Sequence, residues 1–223
     1  EVMSDATLKA IEPALLKNGV GTDGKQWAAP DIASARLLAY NTDLFKKAGI
    51  GAAPKTWAEL EDAAKKLSAA GVSGYGMPLG TEEAQVESSL WLWGAGGDWP
   101  VDGKLVANQP KAVEAFTEMK KIIDAKGTQP DPGATNRQAV ADLFNNGKVG
   151  MYVTHSGLMG VTRDKFPNIK FDLSQIPSKD GTPVAFGVTD FILAFNNNDA
   201  NRKEATKQFL DLMYSDAMYE GWY

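Results

Sequence analysis

Apolar positions recur at helical spacing in some stretches and in short continuous runs in others, and the two patterns alternate from end to end. Leu8, Ile11 and Leu15 fall three and four apart, which predicts a helix over residues 5–17 stopped by Gly19. Gly19 to Gly24 reads as a loop, and Ile32 to Tyr40, broken by Ser34 and Arg36, as a strand. A short helix is expected from Asp43, with Thr42 as its cap and Gly49 as its stop. The clearest helix follows. Thr56-Trp57-Ala58-Glu59 is a capping box, in which Thr and Glu satisfy each other's backbone N–H groups, and Trp57, Leu60, Ala64 and Leu67 form one apolar stripe ending at Gly71.

Beyond it, Tyr75 to Leu79 reads as a buried strand, and Glu82 to Trp93 as a helix with Val86, Leu90 and Trp93 on one face. Asp102-Gly103 is a turn signal between two short strands. Asn108 is placed to cap a long helix in which Val113, Phe116, Met119, Lys120 and Ile123 follow the helical period. Further helices are expected over 137–145, over 157–166 with Ser156 as cap, and from Asn201 through Phe209, Leu212 and Met213. Strands are expected over 149–154, 169–176 and 184–195. Helices and strands interleave throughout, so the class is α/β. No Gly/Ser linker divides the chain, so a second lobe would have to be joined by strands.

Composition narrows the chemistry. The 223 residues carry 23 Lys and Arg against 28 Asp and Glu, a net charge of −5. Nucleic-acid binders need a basic surplus, so no nucleic-acid partner is expected. The absence of cysteine excludes disulfides, thiolate metal sites and Cys nucleophiles. No run of about 18 apolar residues exists, so no insertion of this chain into a membrane is expected. The start shows no charged n-region or apolar h-region, so an export signal is expected to be already removed.

Gly19-x-Gly21-x-x-Gly24 matches the dinucleotide fingerprint as text, and Gly19 to Lys25 nearly matches a phosphate loop. Both need a strand before the glycines and a helix N-terminus after them. Here a helix precedes and a strand follows, and Gln26 stands where magnesium would need Ser or Thr. His155 is the only histidine, so no two-histidine metal centre forms within this chain. Two readings of it stand open: a loop residue facing a ligand, or a partly buried residue bonded to backbone. Trp91, Trp93 and Trp99 either cover apolar sugar faces or fill core. Trp93 continues the Val86–Leu90 stripe and is expected in the core, as is Trp57. Glu82 and Glu83 either complement the helix dipole, or one of them accepts hydroxyl hydrogen bonds. As a glycosidase pair they fit poorly, because such carboxylates flank a bond from opposite sides, about 5 to 9 Å apart. No cofactor or metal is expected.

The string Tyr40-Asn41-Thr42-Asp43-Leu44-Phe45-Lys46-Lys47-Ala48-Gly49, continuing through Pro54-Lys55-Thr56-Trp57-Ala58-Glu59-Leu60 and Ala63-Ala64-Lys65-Lys66-Leu67, resembles the extracellular solute-binding proteins of ABC importers. The group meant is the sugar-binding one that includes maltose-binding protein. Gly24 to Pro30, Gly96-Gly97 with Asp102-Gly103-Lys104, Leu143 to Met151 and Phe186-Gly187-Val188 resemble the same family in the same order. The resemblance implies a two-lobed periplasmic-binding-protein fold of type II character, with chain crossings near 34–38 and 186–189. It places residues 1–38 and 188–218 in the first lobe, 39–187 in the second, and 219–223 at the start of a return toward the second. Family members extend further at both ends, so the chain is expected to be an internal piece with an incomplete first lobe. Apolar faces at Phe191, Leu193 and Phe195 are then expected to be uncovered.

By the same resemblance the function is carbohydrate binding, with delivery to a membrane permease by hinge closure and no catalysis. The location is periplasmic or extracellular, held at the cell surface by a segment outside this sequence. Ser34 and Arg36 would lie on the first hinge strand, Glu83 and Gln85 at the opening of the second-lobe cleft, and Thr189 and Asp190 just past the second hinge. Where maltose-binding protein carries a tryptophan that stacks on sugar, this chain reads Thr154-His155-Ser156-Gly157, so His155 and Ser156 would make that contact. Trp91 is the aromatic assigned to the ligand. The alternatives are a carbohydrate-active enzyme such as a glycosidase, and a same-fold binder of a polyol, a glycerol phosphate or a peptide.

Overall fold

The computed structural model describes residues 3–196 and 198–222. They fall into two compact units, one of Glu1–Ser34 with Gly187–Tyr223 and one of Ala35–Phe186. In the first unit, the single helix expected over 5–17 is two: α1 (Asp5–Ala10) and α2 (Pro13–Leu16), then a 3₁₀ turn at Lys17–Gly19. Pro13 is the cause. Its ring drives Glu12 out of the helical region and it takes the first helical position, where its missing N–H costs nothing. The glycine-rich stretch closes on itself through a Val20–Gln26 bridge and leads into β1 (Ala29–Asn41), so no helix N-terminus follows it.

β1 carries the chain into the second unit, where it ends on α3 (Thr42–Lys47). Asn41, not Thr42, is the cap, its side chain accepting from Leu44 N at 2.9 Å. In α4 (Trp57–Ala69) the expected capping box forms: Thr56 Oγ1 accepts from Glu59 N at 3.2 Å, and Glu59 Oε2 from Thr56 N at 3.0 Å. The strand expected over 75–79 is β2 (Ser73–Gly76). Gly74 lets it lie against α4, because a Cβ there would fall 2.5 Å from the Ala64 carbonyl oxygen. Next come α5 (Ala84–Gly94) and the hairpin of β3 (Pro100–Val101) and β4 (Lys104–Leu105), turned by Asp102 and Gly103 with φ of 51° and 73°.

α6 (Pro110–Asp124) starts after Gln109 rather than Asn108, and its buried residues are Ala112, Ala115, Met119 and Ile122. Val113, expected on that face, is 56% exposed. The true stripe is rotated because two alanines let α6 approach α5 and α4 closely. α7 (Arg137–Asn145) is capped by Asn136, β5 (Val149–His155) follows, then α8 (Ser156–Lys165) and β6 (Phe171–Ser174).

Within this unit the sheet order is β2-β5-β1-β6. β5 is parallel to β2 and antiparallel to β1, with Leu38 opposite Val153 and Arg36 opposite His155. Both faces of the sheet are covered, which is why β5 reads as a continuous apolar run. Leu38, Met151 and Val153 pack with Trp57, Leu60, Leu90 and Ile122 on one side. Ala39, Tyr152 and Val149 pack with Val140, Phe144 and Met159 on the other.

The first unit resumes with β7 (Gly187–Ile192), which pairs with β1, then α9 (Ala200–Met213) and α10 (Asp216–Trp222). Its core is small: Ala29, Leu210 and Tyr214, whose hydroxyl donates to Pro30 O at 2.9 Å. Phe209 and Leu212 on α9 are exposed, as are Leu193 and Phe195, while Phe191 is half-buried.

Candidate ligand-binding site

Opposed residues in an antiparallel pair share a face, so Arg36 and His155 stand side by side beyond Leu38 and Val153. Glu83, at the start of α5, reaches the same place. Arg36 Nη2 donates to Glu83 Oε1 at 2.8 Å, and Arg137 Nη1 lies 3.6 Å from that same oxygen. Arg137 in turn donates from Nη2 to Glu82 Oε1 at 2.7 Å and from its backbone N–H to Glu82 Oε2 at 3.1 Å. The result is an alternating row of Arg36, Glu83, Arg137 and Glu82, with His155 beside it.

Burial gives this row its weight. Arg36 is 5% exposed, and its Nε–H finds no hydrogen-bond partner among the described residues. Leaving a buried donor unpaired is costly, and such a group calls for an explanation, of which a partner from outside the chain is one. Glu83 adds a second departure. It caps α5 in the left-handed region at φ 73°, yet its carboxylate makes no capping bond and is spent on the arginines instead. A non-glycine residue held there is strained by about 1–3 kcal/mol, a cost that clusters at functional sites. His155 is half-buried at the end of β5, in the capping position of α8. Burial, then the charges of Arg137 and Arg36, hold its pKa below the usual histidine value against the pull of Glu83 and Glu82. The imidazole is therefore neutral at pH 7, able to donate at one nitrogen and accept at the other.

The structure thus brings Arg36, Glu83 and His155 together, with Ser156 exposed in the first turn of α8 and Gln85 exposed in the first turn of α5. Ser34, Thr189 and Asp190 lie in the other unit, Ser34 half-buried on β1, Thr189 half-buried and Asp190 exposed on β7. Trp91 is corrected. It is 4% exposed, with its ring centroid 5.1 Å from that of Trp57 and its indole N–H donating to Glu87 Oε1 at 2.9 Å. It presents no face to a ligand. Trp93, expected in the core, is only half-buried, against Phe186 and bonded to Asp98. The stripe could not separate the two tryptophans because α5 is buried on nearly every side.

Two participants were missed. Arg137 read only as a helix start, and nothing in the sequence ties it to Glu82, 55 positions away. Glu87 drew no notice, yet it is 2% exposed and accepts from Tyr75 Oη at 2.6 Å as well as from Trp91. Burial pushes its pKa up to about 7, and the charge of Glu83 one helical turn away adds to the rise. In the other unit a separate cavity of about 720 Å³ is lined by Trp27, Phe195, Lys203 and Leu210 among others. None of the residues assigned to the ligand lines it.

A model of the bacterial extracellular solute-binding proteins matches residues 3–220. The chain belongs to this family. Among solute-binding relatives, it is 37% identical over 196 residues to a Brucella abortus sequence described only as a binding protein, covering 86% of this chain and 47% of that one. It is 31% identical over 168 residues to the sn-glycerol-3-phosphate-binding periplasmic protein UgpB of the same organism, covering 71% of this chain and 38% of that one. The chain spans about half the length of the curated relatives it matches or less. Among solved structures it is similar to the maltose-bound MalE3 of T. maritima, with TM-score 0.84, 27% identity and coverage of 96% of this chain and 56% of that one. A ribitol complex of an ABC transporter solute-binding protein from Agrobacterium radiobacter K84 gives TM-score 0.82 at 25% identity, with 97% and 56% coverage. The family is one of binding proteins, and the two-lobed α/β fold inferred from the sequence is the fold of these neighbours.

Proposed function

We propose that this chain forms the ligand-contacting part of a carbohydrate-binding protein serving an ABC importer, on the extracytoplasmic side of the membrane. The unpaired, buried Nε–H of Arg36, set beside Glu83 and neutral His155, is the observation that carries this reading. A sugar offers many hydroxyls, each able to donate and accept, and a site reads them with a few convergent donors and acceptors. Arg36 supplies a donor, Glu83 an acceptor and His155 one of each. Ser156 and Gln85 extend the polar rim. The neighbours' maltose and ribitol support the ligand class.

In this reading the unit Ala35–Phe186 is the second lobe, and Glu1–Ser34 with Gly187–Tyr223 belongs to the first. Ser34, Thr189 and Asp190 are its candidate contacts. Capture by hinge closure is the step that goes with it, and a membrane permease is the receiving partner. The protein is retained at the cell surface or in the periplasm. It catalyses nothing: Glu82 and Glu83 both serve arginines rather than flanking a bond as an acid and a base must.

A thermal-shift screen of the 223-residue chain with maltose, ribitol, raffinose and tagatose tests the proposal, with chromatography of each mixture for products. At least one compound is expected to raise Tm, the shift to shrink in His155→Ala, and every compound to be recovered intact. Release of a cleaved product, or no response to any of the four, would count against it.

A further inference from the structure

We infer that the row Arg36–Glu83–Arg137–Glu82 makes this site select uncharged ligands and reject phosphorylated ones. The inference names the ligand class of the site proposed above and rests on that reading. It is not the first impression the residues give. Two guanidinium groups, a histidine and the start of α8 meet at one place, which looks like an anion site, and a relative at 31% identity binds sn-glycerol 3-phosphate.

The pairing reverses that impression. Each arginine already has a carboxylate, at 2.8 Å for Arg36 with Glu83 and 2.7 Å for Arg137 with Glu82, and Arg137 leans on Glu83 as well at 3.6 Å. Two positive charges and two negative ones cancel, and His155 adds none at neutral pH. Among the N–H groups Arg36 still has free of Glu83, the buried one is at Nε, which finds no partner among the described residues, in a side chain that is 5% exposed. A phosphate bonded to that N–H would sit within a few ångströms of the Glu83 carboxylate on the same guanidinium. There the partly dry surroundings make like charges repel strongly. To use the arginines, phosphate would first have to displace Glu83, whose side chain is 12% exposed and held by two partners. A hydroxyl meets neither obstacle. Its oxygen accepts from Nε, and its proton can go to Glu83 Oε2, since both arginine contacts fall on Oε1. A neutral ligand is thus read by donor and acceptor together, while an anion finds only half of what it needs and a repelling group beside it.

The test compares wild type, Glu83→Gln and Glu82→Gln by isothermal titration with inorganic phosphate, sn-glycerol 3-phosphate, glycerol and ribitol, each variant checked by circular dichroism. Glutamine keeps the shape and removes the charge. Wild type is expected to show no measurable binding of either phosphate compound, and Glu83→Gln at least a tenfold gain for both. Glu82→Gln, at the exposed end of the row, should gain less. Wild-type binding of sn-glycerol 3-phosphate as tight as any neutral compound overturns the inference, as does a folded Glu83→Gln that gains no phosphate affinity. Should Glu83→Gln fail to fold, Glu82→Gln decides: no gain over wild type overturns the inference. If wild type ignores maltose, ribitol, raffinose and tagatose as well, yet Glu83→Gln acquires phosphate, the carbohydrate reading fails while the charge-balance inference stands.

Discussion

Trp91→Ala is expected to destabilise the second unit by about 3–5 kcal/mol, the range for removing a large buried aromatic. The cavity would open between Trp57, Tyr75 and Leu90, at the centre of the larger core. The loss has a second part, because Trp91 supplies one of the two hydrogen bonds that the described residues make to the buried Glu87 carboxyl. Removing a donor from a group that cannot reach water leaves its desolvation uncompensated. A urea titration followed by circular dichroism should show the midpoint fall sharply. A variant as stable as wild type but unable to bind saccharide would mean that Trp91 is a ligand platform after all.

Glu87 itself should give stability an unusual pH dependence. Its folded pKa is raised from 4.5 to about 7 by burial, against two hydrogen bonds that oppose the rise. A carboxyl whose folded pKa lies above its unfolded value contributes stability that is fully present below about 4.5 and lost as pH rises through about 7. At roughly 1.4 kcal/mol per unit, the loss is about 3 kcal/mol. Asp211 runs the other way: its carboxylate is held below its ordinary value by Thr7 Oγ1 and Ser4 N, so its contribution disappears in acid. Glu87→Gln isolates the buried group. Tyr75 and Trp91 both bond to Oε1, which glutamine retains, and the proton that titrates is gone. Wild type should lose about 3 kcal/mol relative to this variant between pH 4.5 and pH 8. Parallel pH profiles would show that Glu87 does not carry its proton in the folded state.

What the sequence made legible was local. The Thr56–Glu59 box, the Asp102-Gly103 turn and the helix Arg137–Asn145 depend on neighbours within a few positions, and all three appear where expected. The long family string around Tyr40 to Leu67 carried the architecture. Position within a buried environment was not legible. α5 is covered on nearly every side, so periodicity could not tell Trp91 from Trp93. α6 packs through Ala112 and Ala115, residues too small to mark a stripe beside Val113 and Phe116. Pro13 was visible in the sequence, but the intact apolar spacing across it hid the break between α1 and α2. Arg36, Glu83 and His155, placed at the cleft by the family resemblance, do lie side by side in the structure. Arg137 was not legible, because its partnership with Glu82 exists only once α7 and the start of α5 have been folded together.

Arg36 is the central donor of the site, and Arg36→Met tests its role most directly. Methionine fills much of the buried stem, and Glu83 keeps Arg137 as a partner, so the fold should survive the loss of the guanidinium. The measurement is isothermal titration of wild type and Arg36→Met with whichever of maltose, ribitol, raffinose and tagatose gives the largest thermal shift. Binding to wild type is expected, with at least tenfold weaker binding to a variant whose circular dichroism spectrum is unchanged. Equal affinity in the two proteins would contradict this expectation.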